Sequence, residues 1–128
     1  MVLPKTMRLR GHRCFDHLYR NGTRYHEPSM LLRVVKEEKE LYKFPKKQLY
    51  SNACCCAIAI SSKVNKKAVV RNRLRRIIHQ HLRTRLSQAS EHSNKWMLFS
   101  LKPQSSTKDP VLLLKECDKL LFKAGLLQ

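Results

Sequence analysis

The sequence is poor in acidic residues, which number nine against 27 lysines and arginines. No Asp or Glu occurs between Glu40 and Glu91, although twelve lysines and arginines lie in that interval. The resulting net charge is +18. Like charges on one protein repel one another, and a bound polyanion would neutralise them. The charge therefore indicates a polyanionic partner. DNA or RNA is the first partner to consider, and an anionic membrane surface is the second.

Long apolar segments are also absent. No apolar run approaches the length of about 18 residues that a membrane-spanning helix needs, and residues 1–10 have no signal-peptide core. The five cysteines show no CxxC spacing, which argues against a zinc finger or a disulfide framework. We therefore expect a cytoplasmic protein whose cysteines, including the consecutive Cys54, Cys55 and Cys56, serve as small buried apolar residues.

The few acids and histidines do not form a recognisable catalytic or metal-binding motif. A metal nuclease built from protein groups needs converging carboxylates, whereas Glu116 and Asp118 are two apart on a predicted helix and point in different directions. The six histidines include no HExxH-like pair. A Ser/His or Cys/His nucleophile set stays open, although nothing indicates one. The sequence thus favours a binding subunit with no catalytic or metal-binding side chains of its own.

The most informative stretch is a basic loop followed by an amphipathic helix, residues 63–86. Steps of about 100° per residue place an apolar stripe on one face, formed by Val70, Leu74, Ile77, Ile78 and Leu82. The opposite face carries Asn72, Arg76, His79 and Arg83, with Arg71 and Arg73 beside the boundary. A solvated basic helix usually carries acids at i,i+4 that pair with its bases. None occurs here, so this segment indicates nucleic-acid binding.

Periodicity predicts one α+β domain, residues 1–128, in the order helix, two or three strands, helix, strand, helix. The segments are a basic arm (1–11), a helix (12–20), an apolar strand region (25–35), a charged hairpin connection (36–52), a strand (53–61), a helix (68–86), a strand (95–101) and a last helix (110–124). Asn65 is a candidate N-cap. Gly22 suits the left-handed position after a helix, and Gly125 follows the last helix.

The strand at 53–61 has two different faces. Ile58 and Ile60 share one face, while Ala57, Ala59 and Ser61 line the other. Small side chains on one face leave room for another group to approach. In the first helix, Phe15 and Tyr19 lie four residues apart and therefore on one side, where they can form either core or a binding surface.

Several motifs resemble the protein component of bacterial ribonuclease P. The main one is the strand Ile58-Ala59-Ile60-Ser61-Ser62-Lys63, followed after a short loop by Ala68-Val69-Val70-Arg71-Asn72-Arg73-Leu74-Arg75-Arg76. The others are Arg8-Leu9 with Phe15, Tyr19 and Gly22, then Leu101-Lys102-Pro103, and Ala124-Gly125-Leu126-Leu127 near the end. The chain differs from many members in having Asn65-Lys66 where they carry glycine, Arg33 near a position they fill with an aromatic residue, and a longer hairpin at 36–52.

The resemblance implies a two-layer α/β sandwich of αβββαβα order, with a small mixed sheet and a left-handed βαβ crossover. It also implies a subunit that needs no protein oligomerisation, binds a catalytic RNA and promotes endonucleolytic removal of the 5′ leader of precursor tRNA. The RNA component, with Mg²⁺, would carry the chemistry. The RNA-binding residues so implied are Lys63, Lys66, Lys67, Arg71, Asn72, Arg73, Arg75 and Arg76. The implied leader-binding cleft comprises Arg8, Arg10, Phe15, Tyr19, Ala59 and Ser61.

Two other functions fit part of the pattern. A structural RNA-binding protein, similar to a ribosomal protein, would share the charge but would need no aromatic cleft. A helix-turn-helix DNA-binding domain would need a helix just before the basic one, whereas the sequence predicts a strand there.

Overall fold

The computed structural model describes residues 12–36, 55–86 and 95–126. The predicted arm at 1–11 and the connection from residue 37 to 52 lie outside this part. The elements are α1 (His12–Asn21), β1 (Thr23–His26), β2 (Met30–Lys36), β3 (Cys55–Ala59), α2 (Ala68–Leu86), β4 (Lys95–Leu101), a short 3-10 helix (Pro103–Thr107) and α3 (Pro110–Lys123). The αβββαβα order is confirmed, and α2 and β4 have the predicted bounds.

The four strands form one mixed sheet in the order β1-β2-β4-β3. β2 is antiparallel to both β1 and β4, whereas β3 is parallel to β4. Because α2 connects these two parallel strands, β3-α2-β4 is a βαβ crossover, whose left hand stays a prediction. The apolar region at 25–35 forms two strands because Pro28 cannot donate to a ladder and lies in the turn that Glu27 N closes on Met30 O at 2.9 Å.

Helices cover both faces of the sheet. α2 and α3 pack on one face, in a core that includes Leu32, Ile58 and Phe99. α1 packs on the other face, where Cys14 and Leu18 contact Trp96 and Leu98. The sheet with α2 and α3 is the expected sandwich, and α1 adds a partial layer opposite. Alternation along β3 follows the prediction, since Ile58 joins the first core while Ala57 and Ala59 face the side of α1.

The buried stripe of α2 differs from the predicted one at His79. Its core residues are spaced by four: Leu74, Ile78, Leu82 and Leu86. Steps of four advance about 40° around the helix, so the stripe drifts towards the side that carries His79. The side chain of His79 is accordingly 8% exposed, and its assignment to the polar face was wrong.

Three cysteines are described with their side chains, and all three are buried thiols: Cys14, Cys56 and Cys117. Burial raises the pKa of Cys14 to about 11, which keeps this thiol protonated and unreactive at neutral pH. The prediction that cysteines serve as small apolar residues is confirmed for these three. The side chains of Cys54 and Cys55 lie outside the described part.

The two glycines that follow helices differ in conformation. Gly125 is left-handed, with φ 74°, the conformation that was expected of Gly22. Gly22 has no positive φ, so that expectation was wrong. Gly22 is required instead for a close approach, because a Cβ there would lie 2.5 Å from the carbonyl oxygen of Leu18 and 3.4 Å from Cβ of Arg33.

We expect Gly22→Ala to lower the free energy of unfolding by roughly 1–2 kcal/mol, since the clash is with backbone that cannot yield cheaply. Gly125→Ala is the comparison variant, because no atom lies within 4 Å of its added Cβ and only the φ penalty applies. Urea unfolding of both variants checks this. A Gly22→Ala protein as stable as the wild type would contradict the close approach of Gly22 to the Leu18 carbonyl of α1.

Glu116 connects α3 to the turn before β2. Its Oε1 accepts a hydrogen bond from Ser29 N at 2.8 Å, and its Oε2 lies 3.1 Å from Lys108 Nζ. Burial alone would raise the pKa of Glu116, but the Ser29 and Lys108 hydrogen bonds outweigh it and lower the pKa. The ionised carboxylate therefore stabilises the fold above the unfolded-state pKa, and this stability is lost as the pH falls through the folded-state pKa.

We expect Glu116→Gln to cost roughly 1 kcal/mol of stability at neutral pH, because a charge-assisted hydrogen bond is lost. The wild type should lose stability on acidification below about pH 4, and the variant should lose less. Urea unfolding over this pH range measures both slopes. Asp16→Asn, an exposed acid on α1, is the control, and equal slopes in wild type and Glu116→Gln would refute the assignment.

Candidate RNA interface

The loop between β3 and α2, residues 61–67, is a folded turn. Val64 is 5% exposed and anchors the loop in the core, while Val64 N donates to Ser61 O at 3.0 Å. Asn65 Oδ1 accepts from Lys67 N at 2.9 Å. This bond closes a turn just before the helix, so Asn65 does not act as the predicted N-cap. Anchored in this way, the loop exposes its three lysines to solvent: Lys63, Lys66 and Lys67.

The two arginines of the Arg-Asn-Arg motif have different environments. Arg71 is half-buried, and its Nη1 donates to Asn65 O at 2.8 Å and to Lys66 O at 3.0 Å. Arg73 is exposed and makes no hydrogen bond or ion pair with the described residues. Arg71 therefore contacts the protein's own backbone, while Arg73 is available to a partner.

The rest of α2's first half completes what we call the basic surface. Arg75 Nη1 donates to Asn72 Oδ1 at 2.9 Å, and Arg76 is exposed. The first turn of α2 contains no acid, so no side chain of that turn offsets the positive end of the helix dipole. The basic surface consists of Lys63, Lys66, Lys67, Arg71, Asn72, Arg73, Arg75 and Arg76.

On the other face of the sheet, we give the name small-residue groove to Phe15 of α1 together with Ala57 and Ala59 of β3. Phe15 of α1 and Ala57 and Ala59 of β3 are half-buried, and all three pack against the cluster under α1. Phe15 and Ala59, two predicted cleft residues, thus pack against the same cluster on this face of the sheet. Ser61 is exposed, and its Oγ accepts from Lys63 N at 3.3 Å, which links it to the loop. Arg8 and Arg10 lie outside the described residues.

Tyr19, one turn beyond Phe15, contacts an arginine of the sheet. Tyr19 is 55% exposed, and Cζ of Arg33 lies 4.6 Å from the centroid of its ring. Nη1 of Arg33 lies 3.4 Å from Ser100 Oγ. Sequence reasoning did not include Arg33 or Ser100 in the site. The available signal was that Arg33 interrupts an otherwise apolar run in β2.

Two of the described acids, Asp109 and Asp118, make contacts within the fold. Asp118 is 2.8 Å from His81 Nε2 and 3.2 Å from Arg85 Nη2, so it joins α3 to α2. Asp109 caps α3, accepting from Val111 N at 2.8 Å. Within 12–36, 55–86 and 95–126, no three His, Cys, Asp or Glu residues are arranged to hold a metal ion.

Comparison with known proteins decides the family. A family model described as Ribonuclease P matches residues 3–125. The chain belongs to this ribonuclease P protein family. It is 56% identical to the ribonuclease P protein component of Prochlorococcus marinus strain MIT 9313, over 99% of both chains. It is 52% identical to that of Parasynechococcus marenigrum strain WH8102, over 98% of both.

Solved structures of ribonuclease P proteins share the fold. The protein from Staphylococcus aureus superposes with a TM-score of 0.73 at 15% identity, covering 95% of this chain and 98% of that one. The Thermotoga maritima protein gives 0.66 at 17% identity, covering 89% and 94%. As a ribonuclease P protein, the chain is a subunit of the endoribonuclease holoenzyme that processes the 5′ ends of tRNA. Among its described helices, none is both long and apolar enough to cross a membrane.

Proposed function

We propose that this ribonuclease P protein binds the catalytic RNA through the basic surface and the 5′ leader of precursor tRNA through the small-residue groove. The observation that carries the proposal is the position of these two sites. The basic surface lies on the loop and α2, while the groove lies on the α1 face of the sheet. One small protein can thus contact two RNA segments at once.

The basic surface has the chemistry of a phosphate-binding site. The sequence between Glu40 and Glu91 contains no carboxylate beside these exposed cations. A polyanion would therefore compete with few carboxylates for binding to them. Arginine binds phosphate through two parallel hydrogen bonds, and lysine acts as a point charge. The lysines of the loop and Arg73 and Arg76 of the helix supply both types.

The small-residue groove has the parts of a single-strand site. Phe15 and Tyr19 offer flat faces on which bases of any sequence can stack, and Ala57 and Ala59 leave room beside them. Arg33, held by Tyr19 and Ser100, adds a cation within the groove. The N-terminal arginines Arg8 and Arg10, together with Ser61, are proposed to border the same leader.

In this account the RNA component performs the cleavage and holds the Mg²⁺. Three of the described acids, Asp109, Glu116 and Asp118, form bonds that stabilise the fold. The protein supplies affinity for both RNAs and orients the precursor. We propose that it acts in the cytoplasm, away from membranes, without needing a protein oligomer.

The test is cleavage of precursor tRNA by the catalytic RNA at low Mg²⁺, with and without the protein. We expect the protein to stimulate cleavage, because its cations reduce the repulsion between the catalytic RNA and precursor tRNA, which Mg²⁺ otherwise screens. Protein alone should cleave nothing at any Mg²⁺ concentration. A structural RNA binder of ribosomal type would bind RNA but leave the cleavage rate unchanged. Sustained cleavage by nuclease-free protein without RNA would overturn the proposed division of labour.

A further inference from the structure

We infer that Arg71 is a positioning residue, which shapes the 61–67 loop and acts on RNA binding through the lysines of that loop. This inference rests on the proposed function of the basic surface, and it gives Arg71 and Arg73 different roles within one motif. The Arg71 guanidinium donates its hydrogen bonds to the protein's own backbone.

The carbonyl groups that Arg71 binds belong to consecutive loop residues. Nη1 donates to Asn65 O at 2.8 Å and to Lys66 O at 3.0 Å. These carbonyls precede α2, whose first hydrogen bonds go from Val70 N and Arg71 N to Lys67 O. A single guanidinium thus satisfies two backbone acceptors that the helix does not reach.

The loop needs such a contact because its own charges oppose its conformation. Lys63, Lys66 and Lys67 lie within five residues and carry like charges, which repel one another. Val64 anchors the first half of the loop in the core. The second half is held by the hydrogen bond that Lys67 N donates to Asn65 Oδ1 and by the two that Arg71 donates to the backbone. Fixing the loop before RNA arrives lowers the ordering cost of binding.

The environment of Arg73 provides an internal comparison. Arg73 is two residues away on the same helix and is exposed, with no hydrogen bond or ion pair to the residues that the structure describes. Its guanidinium can meet a phosphate directly. Arg71, half-buried and bound to two carbonyls, would have to give up those bonds to do so.

The first measurement is amide hydrogen exchange of the free, full-length protein, which requires no RNA. In Arg71→Met, we expect the amides of Val64 and Lys67 to exchange roughly tenfold faster, because the charge-assisted bonds that hold the loop are lost. In the matched variant Arg73→Met, both amides should exchange as in the wild type. If Arg71→Met does not fold, Arg71→Lys replaces it, with a smaller change in the same direction.

The second measurement is a double-mutant cycle for binding to the catalytic RNA. With the loop lysines present, Arg71→Met should weaken binding about tenfold. With Lys63, Lys66 and Lys67 all changed to Met, the same substitution should cost less than about twofold, because a residue that acts through the lysines is coupled to them. Arg73→Met should cost the same in both backgrounds.

Two results would overturn the inference. One is unchanged exchange of Val64 and Lys67 in the Arg71 variant. The other is an equal cost of Arg71→Met with and without the loop lysines, which would make Arg71 an independent RNA contact. If the wild type did not bind the catalytic RNA at all, the proposed function would fail, while the exchange experiment would still decide whether Arg71 organises the loop.

Discussion

Changing Arg73 to Ala is expected to weaken binding to the catalytic RNA by about 1.5–3 kcal/mol, the range for a hydrogen bond to a charged group. The side chain is exposed and lies beside, not within, the buried stripe of α2. Binding should therefore fall while the melting temperature stays close to that of the wild type.

Titrations at several salt concentrations measure this effect and its origin. If Arg73 contacts a phosphate, the slope of log affinity against log salt should become shallower by about one. Arg13→Ala is the matched control, because it removes the same charge from an exposed site on α1. A melting temperature that falls as much as the affinity does would show that Arg73 is structural.

Changing Tyr19 to Ala should abolish most of the preference of the reconstituted holoenzyme for precursor tRNA over mature tRNA. A base-stacking contact contributes about 1–3 kcal/mol per base. Loss of a core aromatic would instead cost about 3–5 kcal/mol of stability. At 55% exposure, Tyr19 is not a core residue, so the variant should keep most of its melting temperature.

The measurement compares affinities for a precursor with a leader of several nucleotides and for the mature tRNA. Phe122→Ala is the control, since Phe122 is 67% exposed on α3, far in sequence from the groove residues. Tyr19→Ala also removes the ring against which Arg33 lies, so part of the lost affinity for precursor tRNA can result from a change in the position of Arg33. An unchanged affinity ratio would place the leader elsewhere or show that Tyr19 does not contact it.

Most of the fold could be predicted because its signals are local. Apolar periodicity located α2 and β4 at their observed bounds, and the alternation of Ile58 with Ala57 and Ala59 assigned the faces of β3. The burial of His79 was missed because a stripe spaced by four drifts around the helix. The separation of β1 from β2 depended on how the turn at Pro28 closes.

The candidate site was predictable in composition but not in its internal bonds. Charge located the basic surface, and spacing placed Phe15 and Tyr19 on one side of α1. The contacts of Arg71 depend on where loop carbonyls point, which residue types do not specify. The grouping of Tyr19, Arg33 and Ser100 depends on the pairing of β2 with β4 and on the packing of α1 over them, both of which are long-range.

The most direct test of the two-surface account is hydrogen exchange of the protein with each RNA in turn. The account predicts that catalytic RNA without precursor protects the 61–67 loop and the first half of α2. Addition of precursor tRNA should then extend protection to α1 and β3, and addition of mature tRNA should not. Two results would contradict the account. One is protection of α1 and β3 by catalytic RNA alone. The other is that catalytic RNA and precursor tRNA both protect the 61–67 loop and the first half of α2.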